Sequence, residues 1–160
     1  MKRVSFALLL TAFCLNATAQ PTLFLVRHAE KATSAGNDPD LSEAGRARAD
    51  ALARILKDAN ISAIYATEFK RTQQTAAPLA RSLGLEVIIV PAATTGAAAF
   101  LEQLKTASGN VLVIGHGNTI PDLARALGLT ASIHLGENDY DNLFVIELGE
   151  RPRLVRLHFP

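Results

Sequence analysis

The sequence predicts an α/β fold, a three-layer sandwich in which helices cover both faces of a mostly parallel central sheet. Two patterns indicate this architecture. Several short segments are apolar at almost every position, as strands are when both faces of a parallel sheet are buried. Longer segments with helical periodicity separate them. The 160 residues, 49% of them hydrophobic, are enough to bury one sizeable core.

The predicted elements alternate along the chain. The first strand covers Thr22–Arg27, and a helix follows over 42–59 with Ser42 as its N-cap. The apolar face of this helix is predicted to consist of Ala44, Ala47, Ala51, Leu52, Ile55 and Leu56. Thr67 is the predicted cap of the second helix, which Gly84 ends. The other predicted strands cover 61–66, 86–90, 110–114, 143–148 and 154–159, and the other helices cover 67–83, 97–107 and 119–127. The last two strands form a predicted hairpin that adds an antiparallel edge.

Residues 1–19 have the three parts of a secretory signal peptide. Lys2 and Arg3 form a basic start, an apolar run covers 4–15, and Ala17-Thr18-Ala19 supplies small residues for cleavage. The run is shorter than the roughly 20 residues of a membrane span. We therefore expect cleavage after Ala19, a domain over 20–160, a periplasmic or secreted location and no stable membrane association afterwards. The alternative is a buried N-terminal strand or helix.

Charge and cysteine content exclude several classes of protein. The 16 Lys and Arg residues balance 15 Asp and Glu residues. The chain therefore lacks the basic excess typical of a nucleic-acid-binding protein. The single cysteine, Cys14, excludes a disulfide framework and a multi-cysteine zinc site. No feature of the sequence defines the oligomeric state.

Three predicted strand ends carry reactive residues. The first strand ends in Arg27-His28, the second leads through Glu68 to Arg71, and the fourth leads into Gly115-His116-Gly117. Ligands of open α/β sheets bind outside the carboxyl ends of the strands. We therefore expect two histidines and two arginines, distant in sequence, to meet at one edge.

These residue types suit a phosphoryl group. Arginine has a rigid donor fork that matches phosphate oxygens, and helix N-termini add backbone N–H groups. A neutral imidazole is a competent nucleophile, and nearby guanidinium groups should lower its pKa and keep it neutral. Flanking glycines would let the backbone approach the anion.

Four blocks resemble the histidine phosphatase (phosphoglycerate mutase-like) superfamily, in the family's order. Arg27-His28-Ala29-Glu30 resembles its Arg-His-Gly or Arg-His-Ala signature, and residues 41–45 resemble its L-[ST]-x-x-G helix opening. Residues 64–76 resemble its S-x-x-x-R-x-x-Q-T-A block, with Thr67 in place of the serine, and residues 115–118 resemble its second-histidine motif. The match spans roughly residues 22–147 and implies a phosphoglycerate mutase-like fold in a small exported member.

The resemblance implies roles for the pocket residues. His28 would be the nucleophile that forms a phosphohistidine, Arg27 and Arg71 would hold the phosphate, and His116 would donate to the phosphoryl oxygens. Water would then hydrolyse the intermediate, with no metal and no other cofactor. The substrate would be a small phosphomonoester. Lys31 and Asn118, close to the pocket in sequence, are candidates for further substrate contacts.

The general acid of the family is not evident in this sequence. The family often has this acid between the pocket arginine and the second histidine, and beyond Arg71 that interval contains only two acids. Glu86 opens a predicted strand and should lie at the wrong edge of the sheet, and Glu102 lies on a predicted helix. Glu68 and Asp122 lie on pocket-side turns, and Glu68 is favoured because it is close to Arg71. The alternative is no dedicated acid, which would favour substrates with good leaving groups or a low pH optimum.

Other functions compete with this interpretation. A metal-dependent hydrolase would use His28, Glu30, His116 and Asp122 as ligands, but the sequence lacks the short-range histidine pairing of helix-borne zinc sites, and two arginines would repel the cation. A catalytically weak phosphate-binding protein fits the same residues. A phosphomutase fits less well, because a mutase must exclude water and the chain offers few residues for a lid.

The remaining charged residues have plainer interpretations. Glu30 is either a pocket residue or the structural partner of a nearby arginine. His134, in a loop, and His158, in the last strand, are expected to have no catalytic role. Glu137, Asp139 and Asp141 lack the spacing of a calcium loop and predict a solvated turn.

Overall fold

The computed structural model describes residues 20–33 and 36–160, and the predicted signal peptide lies outside the described residues. The strands are β1 (Thr22–Arg27), β2 (Ile61–Thr67), β3 (Val87–Val90), β4 (Asn110–Gly115), β5 (Asn142–Glu147) and β6 (Arg153–His158). The helices are α1 (Glu43–Leu56), α2 (Lys70–Leu83), α3 (Ala98–Lys105) and α4 (Thr119–Ala126). A short 3₁₀ turn, Ala92–Thr94, follows β3. Within the described ranges, no helix combines the length and apolarity that crossing a membrane requires.

The six strands form one sheet in the order β3-β2-β4-β1-β5-β6. The first four strands are parallel, whereas β5 runs antiparallel to β1 and β6 antiparallel to β5. This confirms the predicted mostly parallel sheet with an antiparallel edge. In the central pair, Arg27 lies opposite Gly115. The residues that follow β1 and β4 therefore leave the sheet side by side.

Helices cover both faces of the sheet, which confirms the three layers. Side chains that alternate along the central strands belong to two separate clusters. On one face, Leu25 and Val113 pack with Phe100 of α3 and Leu123 of α4. On the other face, Val26 and Ile114 pack with Leu52 of α1 and Leu79 of α2. Each fully buried side chain of this kind contributes roughly 1.5–3 kcal/mol.

The start of α1 agrees with the sequence prediction, and its buried face agrees in part. The Ser42 hydroxyl accepts a hydrogen bond from the Gly45 N–H at 3.0 Å, as an N-cap does. Of the predicted apolar face, Ala51, Leu52 and Leu56 are buried, which confirms that part, whereas Ala44, Ala47 and Ile55 are exposed, so that part is wrong. The buried residues are Gly45, Ala49, Ala51, Leu52 and Leu56. The face is set by packing against α2 and against the backbone that follows β1, which periodicity alone does not reveal.

The predicted cap of α2 is also wrong. Thr67 is the last residue of β2, and α2 begins at Lys70 without a side-chain cap from its own segment. Instead, the carboxylate of Asp38, in the loop after β1, accepts a hydrogen bond from the Lys70 N–H at 3.0 Å. A negative charge is favourable at this end of a helix. Gly84 does end the helix, in the left-handed conformation at φ 65°.

Candidate active site

The structure brings the two histidines together at the carboxyl edge of the sheet. His28 follows β1 and His116 follows β4, and the His28 N–H donates to the Gly115 carbonyl at 3.0 Å. The centroids of the two imidazole rings lie 5.3 Å apart, with an interplanar angle of 63°. Both side chains are buried. Two rings separated by 88 positions in sequence thus share one small pocket.

The surroundings of His28 hold its ring neutral, with one defined nitrogen available. Its Nδ1 lies 2.8 Å from the Ala29 carbonyl oxygen, which can only accept, so Nδ1 carries the hydrogen and Nε2 carries the lone pair. Burial lowers the pKa of His28 to about 3, against the opposing effect of the Ala29 carbonyl. The charges of His116, Arg27 and Arg71 lower the pKa further. Burial, rather than the guanidinium groups expected from the sequence, is the largest cause.

His116 is also held neutral and is bonded at both ring nitrogens. Burial lowers its pKa to about 4, and the Arg71 guanidinium contributes next. Nδ1 lies 3.5 Å from Arg71 Nη2, and Nε2 lies 2.9 Å from Thr67 Oγ1. The main-chain N–H donates to Thr119 Oγ1 at 2.8 Å. Gly115 makes this turn feasible, because a Cβ there would lie 2.5 Å from Thr119 Oγ1.

Arg27 is held by the loop that precedes β5. Its Nη1 donates to the carbonyl oxygens of Gly136 and Glu137, at 2.5 and 2.9 Å. Its Cζ lies 4.5 Å from the centroid of the Tyr140 ring, which is itself 6.0 Å from the His28 ring. The loop is an exposed turn, as expected, but the sequence did not indicate that its main-chain carbonyls hold Arg27. Its role could not be inferred locally, because these carbonyls lie more than a hundred residues from Arg27.

Arg71 lies in the first turn of α2, with its side chain only 15% exposed. Its Cζ lies 4.4 Å from the centroid of the Phe69 ring, and its Nη1 lies 3.5 Å from Asp38 Oδ1. Its other terminal nitrogen reaches His116. The pocket therefore combines two oriented guanidinium groups with two neutral imidazoles, an arrangement that can hold a tetrahedral anion beside a nucleophile.

The two candidate acids lie in different surroundings. Glu68 is exposed, and its Oε2 accepts a hydrogen bond from the Ala92 N–H at 2.7 Å. Its negative charge raises the pKa of His116, which places it within electrostatic reach of the pocket. Asp122 is exposed on α4, and its carboxylate pairs with Arg125 at 2.9 Å. Of these two carboxylates, only that of Glu68 is close enough to change the pKa of a pocket histidine, His116.

Lys31 and Asn118 line cavities on two sides of the pocket. Lys31 is exposed and, with Arg71, borders a cavity of about 390 Å³. Asn118 is exposed and borders a cavity of about 710 Å³ that also reaches Asp122 and His134. Both side chains are therefore accessible to a bound molecule that extends out of the pocket.

Glu30 is a structural partner. Its carboxylate receives hydrogen bonds from Nε and Nη2 of Arg48, the shortest at 2.7 Å. Burial raises the pKa of Glu30, but the Arg48 hydrogen bonds, a main-chain hydrogen bond and the positive charge of Arg48 together lower it by more, so the pKa is lowered overall. The metal-ligand set considered above is therefore not assembled. Glu30 is engaged by Arg48 and Asp122 by Arg125, and the described ranges contain no cluster of three or more suitable ligands.

The two buried histidines predict a loss of stability in mild acid. Their pKa values in the folded chain, about 3 and about 4, lie below the ordinary 6.5. Below pH 6.5 the two histidines bind protons in the unfolded chain but stay neutral in the folded chain. Full stability is therefore present above that pH and declines as the pH falls. The expected slope approaches about 1.4 kcal/mol per pH unit for each histidine. Urea unfolding at pH 6.5 and 5 measures it, and a His28→Gln variant with an undiminished slope would contradict the assignment.

The fold and the pocket together define a class, the α/β proteins with a paired histidine and arginine pocket at the carboxyl edge of the sheet. Residues 23–94 match the sequence model of the histidine phosphatase superfamily (branch 1). This match covers a little under half of the chain, and it relates residues 23–94 to the histidine phosphatase superfamily.

Two phosphatases of known structure have the same fold as this chain. The protein histidine phosphatase SixA, complexed with tungstate, is 20% identical, with a TM-score of 0.69 over 86% of this chain and 96% of that one. The mycobacterial glucosyl-3-phosphoglycerate phosphatase, complexed with VO3, is 19% identical, with a TM-score of 0.67 over 86% of this chain and 98% of that one. At these identities the similarity establishes the fold.

A curated relative matches part of the chain at higher identity. Phosphoserine phosphatase 1 of Hydrogenobacter thermophilus is 42% identical in an alignment of 72 residues, and the alignment covers 41% of this chain and 34% of the relative. The match thus spans about a third of that relative's length.

Proposed function

We propose that this chain is a phosphatase that hydrolyses a phosphomonoester through a covalent phosphohistidine on His28. The observation that carries the proposal is the state of His28, which is neutral, buried and bonded at Nδ1, so that the lone pair of Nε2 is available beside two guanidinium groups. The match of residues 23–94 to the histidine phosphatase superfamily and the names of the similar proteins support the same activity.

The first chemical step is attack by His28 Nε2 on phosphorus. A P–N bond forms while the P–O bond to the leaving group breaks, and the leaving oxygen takes a proton. The forks of Arg27 and Arg71 hold the phosphoryl oxygens and stabilise the charge that spreads over them in the transition state. The Nδ1–H···O bond to Ala29 orients the ring and favours the positive charge that the phosphorylated imidazole acquires.

The second step returns the enzyme to its starting state. Water attacks phosphorus and gives a proton back to the group that protonated the leaving oxygen, the P–N bond breaks, and inorganic phosphate leaves while Nε2 regains its lone pair. His116, which gains a proton when the dianion neutralises the positive field of the arginines, donates to a phosphoryl oxygen. Because fixed positive charge already surrounds the anion, we propose that neither step needs a metal ion.

We propose Glu68 as the proton donor to the leaving group and expect its effect to depend on that group. Glu68→Gln should slow hydrolysis of an alkyl ester such as phosphoserine by at least about tenfold, because an alkoxide leaves poorly without a proton. Hydrolysis of p-nitrophenyl phosphate should change little, because nitrophenolate is a stable anion. Steady-state kinetics on both esters measure the difference. Asp122→Asn is the matched control, and a loss confined to that variant would assign the role to Asp122. No loss in either variant would mean that no dedicated acid exists.

The substrate and location are further parts of the proposal. The similar proteins are named for phosphoserine, protein phosphohistidine and glucosyl-3-phosphoglycerate, which supports a small phosphorylated group as the substrate. We also propose that the protein is exported and cleaved after Ala19, as the pattern of residues 1–19 indicates. N-terminal sequencing of the protein recovered from its native compartment tests this.

The activity is tested by assaying purified protein with p-nitrophenyl phosphate at pH 4–8, with and without EDTA. We expect release of inorganic phosphate at equal rates in both conditions. Loss of turnover in EDTA would contradict the proposed metal independence. Phosphate binding without release from any ester would favour the non-catalytic alternative, and transfer within an ester without free phosphate would favour a mutase.

A further inference from the structure

A chain of buried hydroxyl groups runs from His116 to the main chain before α2. Thr67 and Thr72 are both 0% exposed. Thr67 Oγ1 lies 2.9 Å from His116 Nε2 and 3.0 Å from Thr72 Oγ1. Thr72 Oγ1 lies 2.7 Å from the carbonyl oxygen of Phe69. The inner end of the His116 ring is thus connected to the main chain through two side chains that solvent does not reach.

The donors along this chain have one consistent direction. Arg71 can only donate, so Nδ1 of His116, 3.5 Å from its Nη2, must accept. A neutral imidazole then carries its hydrogen on Nε2, and that N–H donates to Thr67 Oγ1. The Thr67 hydroxyl donates to Thr72 Oγ1, and the Thr72 hydroxyl donates to the Phe69 carbonyl, which ends the chain.

We infer that Thr67 is a positioning residue that holds His116 as the Nε2–H tautomer and directs Nδ1 toward Arg71 and the phosphoryl pocket. The catalytic consequence rests on the proposed function. With Nε2 committed to Thr67, only Nδ1 can take up a proton from solvent when an anion binds. The new Nδ1–H then donates to an oxygen of that anion, beside the guanidinium of Arg71.

If Thr67 only fills space, its hydroxyl should not affect His116, whereas a positioning role requires the hydroxyl. Three variants separate these two roles. Thr67→Val keeps the shape of the side chain but removes the hydroxyl, which leaves the buried Nε2–H without an acceptor. Thr67→Ser keeps the hydroxyl and removes a methyl group. The control is Thr95→Val, because Thr95 is a buried threonine whose hydroxyl donates to the Ala92 carbonyl rather than to a histidine.

The test combines long-range ¹⁵N spectra of the histidine rings with titration of inorganic phosphate, so it needs no turnover. At pH 7 we expect the Nε2–H tautomer of His116 in wild type, Thr67→Ser and Thr95→Val, and its loss in Thr67→Val. Phosphate affinity should fall about tenfold in Thr67→Val and stay within about twofold in the other two variants, as expected for one misplaced donor.

Two results would overturn the inference. One is an Nδ1–H tautomer of His116 in the wild-type protein, a measurement that remains decisive even if Thr67→Val fails to fold. The other is a folded Thr67→Val protein with unchanged tautomer and phosphate affinity. By contrast, a wild-type protein with the expected tautomer but no phosphatase activity would contradict only the proposed function.

Discussion

Replacing His28 by alanine is expected to lower kcat/KM for p-nitrophenyl phosphate by at least about a thousandfold, because the only proposed nucleophile is removed. Wild-type protein quenched during turnover should carry an acid-labile phosphoryl group, and the variant should carry none. Mass spectrometry of the intact protein under alkaline conditions, in which phosphohistidine survives, measures this directly. His116, the other neutral imidazole of the pocket, is not expected to replace His28, because both of its ring nitrogens are already bonded.

Two controls separate loss of the nucleophile from loss of the pocket. The His28→Ala protein should still bind inorganic phosphate, because Arg27, Arg71 and His116 remain. His158→Ala should keep full activity, because the side chain of that histidine is exposed on β6 and its ring bonds only to Asp141 among the described residues. Turnover by His28→Ala equal to that of the wild type would refute the phosphohistidine mechanism.

Replacing Gly45 by alanine is expected to destabilise the fold by about 2–3 kcal/mol, although alanine is the better helix former by roughly 1 kcal/mol. A Cβ at this position would lie 2.2 Å from the Glu30 carbonyl oxygen and 3.0 Å from the Glu30 carbonyl carbon and nitrogen. All three are main-chain atoms, so no side chain can rotate away. The same carbonyl accepts the Ser42 N–H at 2.9 Å, which ties the start of α1 to the segment after β1.

Urea unfolding measures the loss, and Gly149→Ala is the matched control because a Cβ there meets nothing within 4 Å. We expect the control to change stability by less than about 0.5 kcal/mol. The Gly45 variant should also lose activity, since Glu30 is two residues from His28 and must move for the Cβ to fit. A Gly45→Ala protein as stable as the wild type would show that this close approach is absent.

The strands, and the edge at which the site lies, could be predicted from sequence because their signal is local. Residues 23–26 and 111–114 are apolar in succession, as is typical of central parallel strands. The rule that ligands bind at carboxyl ends placed His28 and His116 at one edge. The observed register, with Arg27 opposite Gly115, agrees with that expectation. The resemblance of four short blocks to one superfamily led to the family that the comparisons support.

Contacts that join distant positions could not be predicted in this way. The carboxylate that caps α2 comes from Asp38, 32 positions before Lys70, and the group that bonds His116 comes from Thr67, 49 positions away. The exposed side of α1 was also predicted incorrectly at Ile55, because its neighbours and not its period determine which face is buried. Side-chain partners of this kind exist only after the layers have packed.

Local patterns along the chain were enough to predict the succession of strands and helices, the class of the fold and the residue types at the edge of the sheet, because hydrophobic patterning and strand termini are properties of neighbouring residues. The folded arrangement was needed to show which nitrogen of each histidine is available, that burial contributes more than nearby charge to keeping the rings neutral, and that a distant loop holds Arg27. Those properties depend on which atoms surround a group in three dimensions, and the dielectric environment and hydrogen-bond partners of a buried ring are set by packing between segments far apart in sequence.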